Sequence, residues 1–295
     1  MSEATTRQLV QVIPSVPTSD GAGVSLRRSL GSQRGLYLDP FLMLDEFFSD
    51  NPDDYLAGFP SHPHRGFETV TYMLDGHMRH QDHLGNTGDL GPGDVQWMTA
   101  AHGIIHSEMP QQTEGRMRGF QLWLNLPSQE KMKPARYRDI PAAEIPVVKL
   151  AGGGEVRVIA GRFVAEGRSI DGPVNGAGAK LTTDPSYLDV RLPAGATFAA
   201  PLTAGHNAFL YVYEGSAQIG APGSAKPLAH RAAGVLSDGD AVRAVAGEGG
   251  VRFLLLAAKP LREPVVQYGP FVMNTREEIE QALVDYRDGR FASAA

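Results

Sequence analysis

The stretch "FETVTYMLDG", Phe67 to Gly76, sets the fold class. Its residues are mostly β-branched or aromatic, as a pleated and half-buried surface favours, and it ends on Asp75-Gly76, a hairpin signal. "NAFLYVYEGS", Asn207 to Ser216, repeats the signature: an aromatic-rich strand running into an acid-glycine turn. Two further pairs follow in the same order. "LGPGDVQWMT" (Leu90 to Thr99) is answered by "LSDGDAVRAV" (Leu236 to Val245), and "GFQLWLNLP" (Gly119 to Pro127) by "RFLLLAAKP" (Arg252 to Pro260). The offset is roughly 130 to 150 residues, with loops absorbing the variation. A period that long means a duplicated domain rather than a solenoid. The sequence therefore predicts an all-β protein of two sandwich or barrel halves. The loop "AGGG", Ala151 to Gly154, divides it into 1–150 and 151–295.

The C-terminus breaks the pattern. "NTREEIEQALVDYRDG" offers Asn274 or Thr275 as an N-cap, with Glu278 completing a capping box three residues after Thr275. Ile279, Leu283 and Tyr286 mark one face and Gly289 is a stop, so a short helix docking on the β core is expected.

Composition narrows the function. Hydrophobic residues make up 42% and charged residues 20%, the balance of a soluble globular protein. With a net charge of −6 and scattered Lys and Arg, there is no electrostatic reason to expect direct nucleic-acid contact. No apolar run reaches the roughly 20 residues of a membrane span. "MSEATTRQLV" has no basic region followed by an apolar core, so a cytoplasmic protein is expected. There is no cysteine, so any metal must be held by nitrogen and oxygen.

Seven of the nine histidines fall between His62 and His106. In "SHPH", His62 and His64 are i and i+2, so on an extended segment they share a face. Pro63 holds His62 in an extended conformation, as suits a rigid strand entrance. In "IIHSEMP", His106 and Glu108 are again i and i+2. Neighbouring strands of one barrel would bring these pairs together as three nitrogens and a carboxylate, a set suited to Fe, Cu, Ni or Zn. Glu68 shares parity with His62 and His64, so spacing alone leaves it open as the carboxylate.

These motifs resemble the two cupin motifs. More specifically, "FPSHPHRGFETVTYMLDG", "GDLGPGDVQWMTAAHGIIHSEMP", "YGPFVMNTREEIEQA" and the early "LDPFLMLDEFF" resemble the pirin family from about Val24 to Arg290. The resemblance implies a bicupin: two cupin-type β-sandwich barrels face to face, with metal in the N-terminal one alone. It puts the ligands on His62, His64, His106 and Glu108 rather than Glu68. The metal is expected to be Fe(II), with Cu, Ni, Mn, Co and Zn as alternatives. The resemblance also implies a quercetin 2,3-dioxygenase, which opens a flavonol ring with O2 and releases carbon monoxide, with Glu108 as the base. The alternative is a non-enzymatic, metal- or redox-dependent regulator working through a protein partner. A cleft that admits a flavonol would favour the enzyme.

The remaining candidates have plainer expectations. His206 is the one histidine in "AGHNAFLYV", the second-half stretch that matches the His-x-His motif, and reads as a loop residue. His77, His80 and His83 follow a turn and read as surface residues. His102 reads as a loop residue near the pocket. Arg65 reads as a structural partner of Glu68, and Trp97 and Trp123 as core.

Overall fold

The computed structural model describes residues 5–165, 167–178 and 180–291. The chain forms two compact units, one of Val16–Ala142 with Leu261–Ala295, the other of Met1–Ser15 with Ala143–Pro260. The split at 150/151 read from the sequence therefore needs correction at both ends of the chain.

In the first unit a seven-stranded antiparallel sheet runs Arg136–Ile140, Val95–Thr99, Phe67–Asp75, Met117–Asn125, Phe41–Ser49, Val24–Arg28, Val16–Asp20. A four-stranded sheet runs Phe59–His64, Ile104–Pro110, Met78–Asp82, Thr87–Leu90. Leu26, Phe47, Met73 and Met117 from the larger sheet pack with Met78 and Leu90 from the smaller, which makes the pair a sandwich with one core. The second unit is built on one nine-stranded sheet. Two of its strands, Asn207–Ile219 and Ala241–Ala258, are long enough to serve both layers.

Strand pairing bears out the duplication and corrects its details. Phe67–Asp75 lies between Val95–Thr99 and Met117–Asn125. Asn207–Ile219 lies between Ala232–Leu236 and the later part of Ala241–Ala258. The first and third sequence matches thus fall on equivalent strands. The second does not: Val95–Thr99 corresponds by pairing to Ala232–Leu236, whereas "LSDGDAVRAV" runs into the strand equivalent to Ile104–Pro110. Acid-glycine turns are short and recur before many strands, so that match slipped by one strand.

The acid-glycine signal does not make a hairpin either. Phe67–Asp75 and Met78–Asp82 belong to different sheets, and Gly76, at φ +88°, turns the chain from one to the other. Gly215 does the same inside the continuous strand Asn207–Ile219. Its φ is +69°, and a Cβ there would lie 2.1 Å from the Gly250 carbonyl oxygen.

The chain ends go where a sheet edge is open. Leu9–Pro14 pairs with Ala232–Leu236 and puts Leu9 into that unit's core, the position Arg136–Ile140 takes beside Val95–Thr99. The helix Arg276–Arg287 starts at Thr275 with the expected capping box. It packs Ile279 and Ala282 with Phe271, Met273 and Phe291 on the first unit, and Ile105 joins them. Leu283 and Tyr286, expected on the buried face, are 38% and 43% exposed. The small Ala282 makes the close contact, so the buried stripe is narrower than the apolar pattern.

Candidate metal centre

His62 and His64 stand on the strand Phe59–His64, His106 and Glu108 on Ile104–Pro110, and the two strands pair with His106 opposite His62. The register then shifts, so that Glu108 faces Phe59. Such a bulge re-aims side chains, and here it lies between the two members of the His106/Glu108 pair.

Three ring nitrogens of His62, His64 and His106 lie within 4.8 Å of one another. His62 Nε2 and His64 Nε2 are 3.0 Å apart, while His62 Nδ1 is 2.8 Å from the Pro60 carbonyl oxygen. His62 Nδ1 can reach that oxygen only as a donor, which leaves a lone pair on its Nε2 when the ring is neutral. His106 Nε2 is buried and has no hydrogen-bond partner among the described residues. Burial pushes His64 and His106 well below the usual imidazole range, with the neighbouring histidines adding to the effect. Neutral imidazoles converging with unspent lone pairs are the donor set a borderline divalent cation takes. The residues present fit such an ion.

Glu108 falls in a second group, with His106 and His80, within the same 4.8 Å. Its Oε1 is 3.1 Å from Thr71 Oγ1 and 3.4 Å from Gln121 Nε2, and Thr71 Oγ1 is 2.7 Å from Gln121 Oε1. One hydroxyl proton cannot serve both acceptors, so the amide and the hydroxyl share the task of holding the carboxylate.

Glu68 belongs to neither group. Gly66, at φ +93°, separates the strands Phe59–His64 and Phe67–Asp75, and the parity shared with the histidines stops there. Glu68 is buried and accepts from Thr99 Oγ1 at 2.6 Å, while Thr71, on the other face of its strand, meets Glu108.

Other expectations are corrected. His77 and His83 are exposed, but His80 has 0% exposure and touches His106. Trp123 lies edge-on to His64 at 5.3 Å and lines the cavity rather than the core alone, whereas Trp97 is core. Arg65 pairs with Asp285 at 2.7 Å, not Glu68, and stacks on the Phe291 ring, which ties the helix end to the segment after the His-Pro-His motif. The alternation of Phe120, Leu122 and Leu124 was legible. Gln121 and Trp123, between them, line the site.

A cavity of about 570 Å³ opens onto His62, His64 and Glu108. Leu42, Met43, Phe47, Phe59 and Trp123 give it apolar and aromatic walls; Arg28, Asp45 and Gln121 add polar groups. Arg28 bonds both Asp45 and Asp20 at 2.7 Å, which fixes the charged side of the wall. The volume falls within the roughly 300–1,000 Å³ of small-molecule pockets. In the second unit the equivalent inward positions are Phe198, Ala200, Val242 and Ala244, which carry no ligand atom. His206 lies apart from them, its ring 3.7 Å from Asp184.

A β-sandwich with histidines converging at one cavity, in a chain whose second unit follows the same pairing scheme, defines a bicupin. The Pirin family profile matches residues 23–124, and that of the Pirin C-terminal cupin domain matches 187–292. This chain belongs to the pirin family. It is 56% identical over 288 residues to a Pseudomonas aeruginosa protein named "Putative quercetin 2,3-dioxygenase", covering 97% of this chain and 98% of that one. It is 43% identical over 277 residues to human Pirin, covering 92% and 89%. The crystal structure of quercetin 2,3-dioxygenase from Acinetobacter baumannii superposes with a TM-score of 0.86 at 33% identity, covering 98% and 99%.

Proposed function

We propose that this chain is a metal-dependent dioxygenase that opens a flavonol-type ring with O2 and releases carbon monoxide. His62, His64, His106 and Glu108 hold the ion in this reading, and Fe(II) is our choice among the transition metals that accept such a set. The observation that carries it is the cavity: an aromatic-walled space of small-molecule size that ends on three of those four residues, His62, His64 and Glu108. A divalent metal bound there would supply a Lewis acid that acidifies the enol hydroxyl of the substrate and a centre for O2 chemistry.

The chain's own residues supply the rest. Trp123 and Phe47 offer flat apolar surface to an aromatic substrate and keep water from it. Glu108 takes the proton of the hydroxyl as general base, with Thr71 and Gln121 keeping its carboxylate in place. O2 adds across C2 and C3 of the enolate. C3 leaves as carbon monoxide with the oxygen it already carried, and both atoms of O2 stay in the ring-opened ester. The alternative, a regulator acting through a protein partner, rests on resemblance alone, whereas the cavity favours a small molecule.

The test is an anaerobic addition of quercetin to protein loaded in turn with iron, copper, nickel or manganese. The flavonol absorption should shift on binding, and admitting O2 should consume flavonol and release carbon monoxide in equal amounts. His62→Ala should lose metal and both signals, while His206→Ala should keep them. Binding without carbon monoxide under every metal, at full occupancy by elemental analysis, overturns the catalytic reading.

A further inference from the structure

A fully buried imidazole needs a reason to be there, because burying a polar ring without a partner costs free energy. His80 is such a ring, at 0% exposure on the strand Met78–Asp82. It stands directly opposite Glu108 on the ladder, two pairs along from the Asp82–His106 pair. Its Nδ1 is 3.2 Å from His106 Nδ1, and the Tyr137 ring lies 5.3 Å from its own. Two ring nitrogens bond only when one carries a hydrogen and the other a lone pair. His106 groups with His62 and His64, and its opposite nitrogen, Nε2, is buried with no hydrogen-bond partner among the described residues. His80 Nε2 is likewise buried without a hydrogen-bond partner among the described residues, so the cation site decides the tautomer: a lone pair on His106 Nε2 puts that ring's hydrogen on Nδ1, where it meets an acceptor.

We infer that His80 is a positioning residue: it accepts the Nδ1 hydrogen of His106 and so fixes that ring with its Nε2 lone pair aimed at the cation site. His80 then carries its own hydrogen on Nε2 and presents Nδ1 as the acceptor. The inference rests on the metal site proposed above, since the orientation matters only if Nε2 binds something. Histidine ligands elsewhere are held by carboxylates, carbonyls or water in this role; here a second imidazole takes it. A histidine that merely filled space would act otherwise, for leucine could replace it without consequence for the ion.

The experiment is an anaerobic titration of metal-free protein with Co(II), followed by its visible absorption bands, in the wild type, His80→Leu and His80→Asn. Leucine fills the space without an acceptor, whereas the asparagine amide oxygen can occupy the Nδ1 position. His80→Leu should weaken Co(II) binding about 10–100-fold, the range for losing such a support, and His80→Asn should recover most of it. Melting of the metal-free variants checks that they fold. His80→Leu binding within about twofold of the wild type, or His80→Asn as weak as His80→Leu, overturns the inference. A second measurement needs no variant: nitrogen-15 NMR of the metal-free wild type should report His106 as the Nδ1–H tautomer, and the Nε2–H tautomer overturns the inference. Wild-type protein that takes up no Co(II), with the Nδ1–H tautomer present, overturns instead the metal reading beneath it.

Discussion

Replacing Glu68 with glutamine should stabilise the metal-free protein at pH 8 and leave its stability nearly unchanged at pH 4. The carboxyl group is buried, with one oxygen accepting from Thr99 and the other without a hydrogen-bond partner among the described residues. Burial pushes it up to about 7 from its ordinary value of 4.5, against the pull of the Thr99 hydroxyl. The fold thus prefers the neutral acid. Between pH 4.5 and 7 the folded state keeps a proton that the unfolded chain has lost, so wild-type stability falls as pH rises through that window. At about 1.4 kcal/mol per tenfold change in proton affinity, the fall amounts to about 3 kcal/mol. Glutamine cannot ionise, and its amide oxygen can still accept from Thr99, so the variant escapes the fall. The assay is urea unfolding at several pH values from 4 to 8, with metal removed because metal uptake is itself proton-linked. Both tryptophans, Trp97 and Trp123, lie in the unit that holds Glu68, so their fluorescence reports its unfolding. A difference between variant and wild type that is constant with pH, or that grows toward acid, would refute the reasoning.

Two more outcomes are expected. Glu108→Gln keeps the shape and an oxygen but loses the base, so flavonol turnover should fall about 100-fold or more while most of the metal stays bound; unchanged turnover by oxygen uptake would remove Glu108 from the chemistry. Arg7 is 1% exposed and donates to the carbonyl oxygens of Thr203, His206, Ser237 and Gly239. Arg7→Met should therefore cost the second unit about 2–4 kcal/mol, the scale of losing hydrogen bonds from a charged donor, as measured by far-ultraviolet circular dichroism in urea.

The sequence by itself determined what local periodicity carries. Strand character, the capped helix, the duplication and the pairs His62/His64 and His106/Glu108 follow from the alternation of a strand, the repeat of a helix or the order of motifs, all written within a few residues. Tertiary structure decided what depends on which strands meet. His80 sits in "HMRHQDH" between two exposed histidines, and nothing within that run says which ring is buried; the ladder with Ile104–Pro110 does, by setting His80 opposite Glu108. Glu68 looked like a ligand because parity was carried across Gly66, but a backbone in the left-handed region restarts the alternation, and the side chain turns to Thr99 instead. The signal that could have flagged His80 is its shared parity with Met78, one apolar face of a short strand. The destination of each chain end was equally illegible. Leu9–Pro14 fills an edge left open by residues more than 200 positions away, and Arg276–Arg287 reaches Ile105 as well as its neighbours Phe271 and Met273; such pairing is fixed by burial and hydrogen bonding across the fold rather than by the segments themselves.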